Sequence, residues 1–180
     1  PQPKPRLYPE GYYQGPLIDT HLHIESLPDS YPEKDDNKAK ILTPKSIDPD
    51  QPQNDRLSQR PVPGRNMSMD DIACVLKHEG TKKVFAFFPV YPDISKHALE
   101  FTEKVMKKYP SLFVPFLMPP DNDNSPKGFP TVSAGVLEDM LKLKPKLFSG
   151  YGEIGLYARK GGGAPELPPD SDRLREIYPV

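Results

Sequence analysis

Four short apolar runs, three of them followed by a segment of helical periodicity, constrain this chain more than any other feature. The runs are residues 17–24, 83–88, 112–118 and 147–154. The second, Lys-Val-Phe-Ala-Phe-Phe, is nearly continuous, as expected of a parallel strand covered on both sides. The third contains Pro115, which removes a ladder donor and counts against a central strand. Between the runs, Ser68 can cap a helix with Asp70 and Asp71 in its first turn, Ile72, Val75 and Leu76 as its apolar stripe and Gly80 at its end. Ser95 opens a second helix, with Ala98, Leu99, Thr102, Val105, Met106 and Tyr109 at helical spacing. Thr131 or Ser133 opens a third with Val136, Leu137, Met140 and Leu141 inward, and Ser171 begins a last one with Ile177 and Tyr178 inward. Strands alternating with helices predict a parallel α/β architecture. Right-handed crossovers then build either an open doubly wound sheet or part of a barrel.

The first run carries the chemistry. It reads Leu17-Ile18-Asp19-Thr20-His21-Leu22-His23-Ile24. Alternate side chains of a strand share a face, so Asp19, His21 and His23 are expected on one side and Ile18, Leu22 and Ile24 on the other. Two imidazoles at one end of a buried strand are half of a metal site, because neutral imidazole is the commonest nitrogen ligand for zinc and similar cations. If they share one cation at ~2 Å, their nitrogens must converge to about 3–4 Å.

Asp-x-His-x-His at the end of a first strand resembles the opening of the metal-dependent hydrolases of the amidohydrolase superfamily. Residues 148–157, Phe-Ser-Gly-Tyr-Gly-Glu-Ile-Gly-Leu-Tyr, are similar to the Gly-Glu-Ile-Gly-Leu segment at the fourth strand of some branches, notably the TatD-like deoxyribonucleases. The resemblance implies a (β/α)8 TIM barrel, with metal ligands His21 and His23 on the first strand and Glu153 bridging or binding metal. It implies one or two divalent cations, Zn2+ foremost, activating a water that attacks a carbonyl or phosphoryl centre. Asp19, deeper in the barrel, would act as an acceptor that orients the histidines. Such a barrel needs about 250 residues, and four strands are spent by Ile154. The expectation is therefore the N-terminal half of the barrel, with further histidines on strands five and six and an aspartate on strand eight lying outside it. By itself such a half is expected to hydrolyse nothing and to self-associate through its open sheet edges. PHP-type phosphoesterases also begin with Asp-x-His-x-His, but a Ser-Asp-Gly turn follows there, where this chain has Glu25-Ser-Leu-Pro-Asp-Ser30. A non-catalytic binding protein on a decayed barrel is the remaining alternative.

Composition narrows the partners. A net charge of −1 gives no general attraction to nucleic acid or membrane, and no apolar run approaches the ~20 residues of a membrane span. A small-molecule substrate is expected, with nucleic acid only if the TatD-like likeness extends to function. The single cysteine, Cys74, forms no internal disulfide, falls in an apolar helical pattern and is expected in the core. Proline is frequent, 25 of 180 residues, and places the loops. Residues 1–16 are expected to be extended, and 25–66 to form a long irregular lid over the strand ends. The start lacks the features of a signal peptide, which fits a cytoplasmic chain or an exported one after processing.

Three other patterns are set aside. Gly150-x-Gly152-x-x-Gly155 matches a dinucleotide-binding pattern literally, but no helix is expected after it to receive a pyrophosphate. Residues 121–125 begin like a calcium loop, yet Pro126 and Val132 stand where glycine and glutamate are required. His78 and His97 fall on helices beside charged residues and are expected at the surface.

Overall fold

A computed structural model describes residues 13, 15–25, 67–120, 122, 130–157 and 163–180. The stretch before Tyr13, nearly all of the expected lid and most of the 121–125 turn lie outside the described residues. Four strands, β1 (Leu17–His23), β2 (Thr81–Pro89), β3 (Phe113–Met118) and β4 (Gly150–Tyr151), form one all-parallel sheet in the order β1-β2-β3-β4. Helices α1 (Met69–His78), α2 (Ser95–Lys108), α3 (Ala134–Lys142) and α4 (Asp172–Ile177) alternate with or follow the strands. The parallel α/β expectation is thus met.

The helices begin where local chemistry says they should. Ser68 caps α1 by accepting from the Asp71 amide, and Ser133 caps α3 by accepting from the Val136 amide. Each satisfies a first-turn N–H that has no partner within its helix. Gly80 ends the α1 turn at φ +80°, a left-handed conformation that glycine adopts without steric cost.

The helices cover one face of the sheet. Val84, Ala86 and Phe88 of β2 are fully buried against Met69, Ile72 and Ala73 of α1 and Phe101 and Val105 of α2. Leu117 of β3 is buried in a second cluster with Leu137 and Met140 of α3 and Leu174 and Ile177 of α4. The opposite register positions, Phe85, Phe87, Val114, Phe116 and Met118, are only half-buried and belong to neither cluster. β2 is thus covered on both sides, as expected, but unequally.

Pro115 is accommodated because of the side on which its missing donor falls. Its carbonyl faces β4 and accepts from Ser149, so the absent N–H also faces that side, at the margin where β4 is only beginning. β4 itself is shorter than the eight-residue strand expected, pairing only Gly150 with Phe116 and Tyr151 with Leu117.

Several burial expectations are overturned. α1 buries positions 69, 72 and 73, with 76 half-buried; Cys74 and Val75 lie off that arc and are exposed. Val136 is off the arc of α3 in the same way, and Tyr178 sits past the end of α4, where its hydroxyl donates to the Pro169 carbonyl. His97 is buried, with 6% exposure, its ring stacked on Phe101. The buried arc of α2 is wide because Phe101 and Val105 enter one core cluster while Ala98 enters the other. His78 stands exposed in the last turn of α1, as expected.

The register of β1 against β2 is irregular at two points, between Leu17 and Ile18 and between Asp19 and Leu22. The second breaks the strict alternation expected of β1. Asp19 pairs with Val84 and Leu22 with Ala86, so three steps on β1 match two on β2. This is a bulge with one extra residue. Leu22 and Ile24 still reach the helical side, but Ile18, before the bulge, is 61% exposed on a strand that edges the sheet among the described residues.

Candidate metal centre

Parallel strands present their C-terminal ends together, and that is where the singled-out side chains meet. His23 is the last residue of β1, His21 lies two before it, and Glu153 follows β4 by two residues. The two Nε2 atoms are 2.8 Å apart, slightly closer than the 3–4 Å expected. Glu153 Oε1 is 2.7 Å from His21 Nε2 and 3.3 Å from His23 Nε2. The imidazoles are stacked, with centroids 4.9 Å apart and planes inclined by 21°. All three side chains remain about half exposed, open to solvent and to a ligand.

This arrangement requires the sheet to curl. Strands β1 and β4 are three spacings apart, about 14 Å in a flat sheet. Their residues nevertheless meet at hydrogen-bond distance across the half-buried face. Phe87 fills the space beneath, its ring 5.0 Å from that of His21 and 6.0 Å from that of His23. Phe116 lies 5.3 Å from both Phe87 and Phe85, which continues the aromatic row along the concave side.

The glycines of the 150–155 segment now have a physical role. A Cβ at Gly150 would stand 2.7 Å from the Phe116 ring, one at Gly152 3.1 Å from Phe87, and one at Gly155 2.9 Å from the Pro130 carbonyl oxygen. Glycine lets the backbone close onto the aromatic row, and this closure delivers Glu153 to the histidines. The pattern set aside as a dinucleotide loop is thus a packing device. Phe87 and Phe116 were not singled out from the sequence, although the alternation of Phe85 and Phe87 against Val84, Ala86 and Phe88 marks them as the other face.

The donor set fits a cation. Mutual separations of 2.7–3.3 Å are up to several tenths of an ångström shorter than the about 3.4 Å that tetrahedral ligands about 2.1 Å from one ion keep, so a small outward movement of the donors would admit one. Two imidazoles and one carboxylate with an open position are a ligand set of catalytic zinc sites. Without a cation, two ring nitrogens and a carboxylate oxygen would share too few protons to satisfy all three contacts. Among the described residues this is the one group of three or more such side chains close enough to hold a metal ion. Asp19 is not part of it: its Oδ1 accepts from the backbone N–H of His21 at 2.9 Å.

Comparison with known proteins brings no match, whether to a protein-family model, a curated protein or a solved structure.

Proposed function

We propose that this chain carries the metal centre of an amidohydrolase-like hydrolase, with His21, His23 and Glu153 as ligands. The observation that carries the reading is the convergence of these three side chains, from opposite edges of the sheet, at the C-terminal ends of its strands. That end is where barrel enzymes and open α/β sheets place their chemistry. We further infer that the sheet is an arc of a (β/α)8 barrel. The strand order runs without reversal, the helices pack on one face, and the other face is concave and aromatic. A doubly wound sheet would reverse its strand order and cover both faces.

His21, His23 and Glu153 would hold a divalent cation, Zn2+ by this donor set, which when bound would supply Lewis acidity for hydrolysis at a carbonyl or phosphoryl centre near neutral pH. The residues supply the rest. His21 and His23 hold the position with neutral nitrogen donors, and Glu153 contributes a charge that offsets the cation. Phe87 backs both rings and excludes water from beneath them. The half-exposed rim leaves room for a small-molecule substrate.

Titration with Co2+, which replaces zinc and absorbs in the visible, tests the reading. One equivalent should bind. His21→Ala and Glu153→Gln should each weaken binding by more than the about 10–100-fold that loss of a supporting partner costs. Hydrolysis is not the readout for these 180 residues alone, which as part of a barrel are expected to hydrolyse nothing. A wild-type chain that binds no Co2+ sinks the proposal.

A further inference from the structure

We propose that Asp19 is a positioning residue for the metal centre: its carboxylate, clasping the His21 amide at the bulge of β1, sets the main-chain bend that aims both imidazoles at Glu153. The inference rests on the reading of the trio as a metal site, and it assigns Asp19 to the backbone rather than to an imidazole.

The bulge places an extra residue between Asp19 and Leu22. A regular strand would carry His21 and His23 side by side, about 6.7 Å apart along the strand, with no reason to converge. Here the Nε2 atoms approach to 2.8 Å, so the rings lean together. Bulges bend a strand, re-aim side chains and leave the extra residue outside the ladder. Some group must then receive the amide that the ladder releases. Asp19 Oδ1 does so at 2.9 Å, an i to i+2 side-chain contact of the kind that closes an Asx turn. The contact lies within the bulge and ends on the first ligand. An Asx contact elsewhere on the strand would be a local turn closer and no more. Because the acceptor is an oxygen and not a charge as such, asparagine at position 19 preserves it.

The test compares wild type, Asp19→Asn and Asp19→Ala in the full 180-residue chain by Co2+ titration, with the visible spectrum and backbone amide exchange as second readouts. Asp19→Asn should bind within about twofold of wild type, with the same spectrum. Asp19→Ala should bind about tenfold or more weakly with a shifted band, at unchanged far-ultraviolet circular dichroism. The His21 amide of the wild type, though on an outer strand, should exchange slowly. This last measurement stands even if Asp19→Ala fails to fold, and a freely exchanging His21 amide overturns the proposal. So does equal loss in Asp19→Asn and Asp19→Ala, which would make the charge the working feature, or an Asp19→Ala indistinguishable from wild type. Absence of any Co2+ spectrum in the wild type overturns instead the metal reading on which the proposal rests.

Discussion

The two faces of the sheet are built by different rules. On the helical face, Val84, Ala86, Phe88 and Leu117 are fully buried and held by interlocking aliphatic and aromatic side chains from four helices. On the concave face, Phe85, Phe87 and Phe116 stand half-buried, touch mainly one another and the histidines, and meet glycines rather than side chains from β4. The first face is where stability resides. The second sacrifices burial to bring β4 close enough for Glu153 to reach across the strands. The lesson is that a half-buried aromatic can be a spacer for chemistry where its sequence neighbour is an anchor of the fold.

Adjacent residues of one strand give the sharpest way to break this comparison. Phe88→Ala removes a fully buried ring and should cost about 3–5 kcal/mol of unfolding free energy. Phe87→Ala removes a half-buried ring that neighbours no helix cluster and should cost only about 1 kcal/mol, roughly half of the transfer term. Urea denaturation of the two variants measures the difference. Equal losses would mean that the concave face is as much a core as the helical one.

The same asymmetry governs how much could be read from the sequence. The parallel α/β order, the Ser68 cap and the stripe of α2 follow from periodicities and end signals that a single helix or strand carries by itself. Position 97 was missed because its charged neighbours suggested a surface, whereas residues 97, 101 and 105 repeat every four positions along one side of α2. Val75 and Val136 were misplaced because an apolar residue beside a stripe looks like a member of it; only the packed neighbour decides the arc. His21, His23 and Glu153 were each legible from local pattern and likeness. Their convergence follows as an expectation from shared metal ligation; the means were not legible, since they lie in sheet curl, the bulge at Asp19 and the closure of Gly150 and Gly152 on phenylalanines distant in sequence.

That closure supplies a second contrast, with a smaller effect. Gly150→Ala drives a Cβ to within 2.7 Å of the Phe116 ring, and the ring or β4 must shift. The cost should be about 1–3 kcal/mol, as for other overpacked sites, with weakened Co2+ binding because Glu153 moves with the strand. Gly135→Ala, in the first turn of α3 with nothing within 4 Å of the new carbon, should instead stabilise the chain by about 0.5 kcal/mol. A neutral Gly150→Ala would show that β4 approaches the aromatic row without being pressed against it.

The smallest effect lies at high pH and belongs to the helical face. Tyr151 of β4 packs with the second core cluster, and its hydroxyl donates to the Ile177 carbonyl at the end of α4. Burial of the phenol, with nearby Tyr178 adding to it, pushes its pKa above the ordinary value near 10. The folded chain therefore keeps this proton over a range in which the unfolded chain has lost it, so stability falls as pH rises there. Tyr151→Phe cannot ionise. It should be less stable than wild type at pH 8, where the hydrogen bond is intact, and the gap should narrow as pH climbs through 10 and beyond. Urea midpoints of both proteins at a series of pH values measure that gap. One that stays constant to pH 11 would mean that the phenolate is as well solvated in the folded chain as in the unfolded one, and that the helical face is not closed around β4.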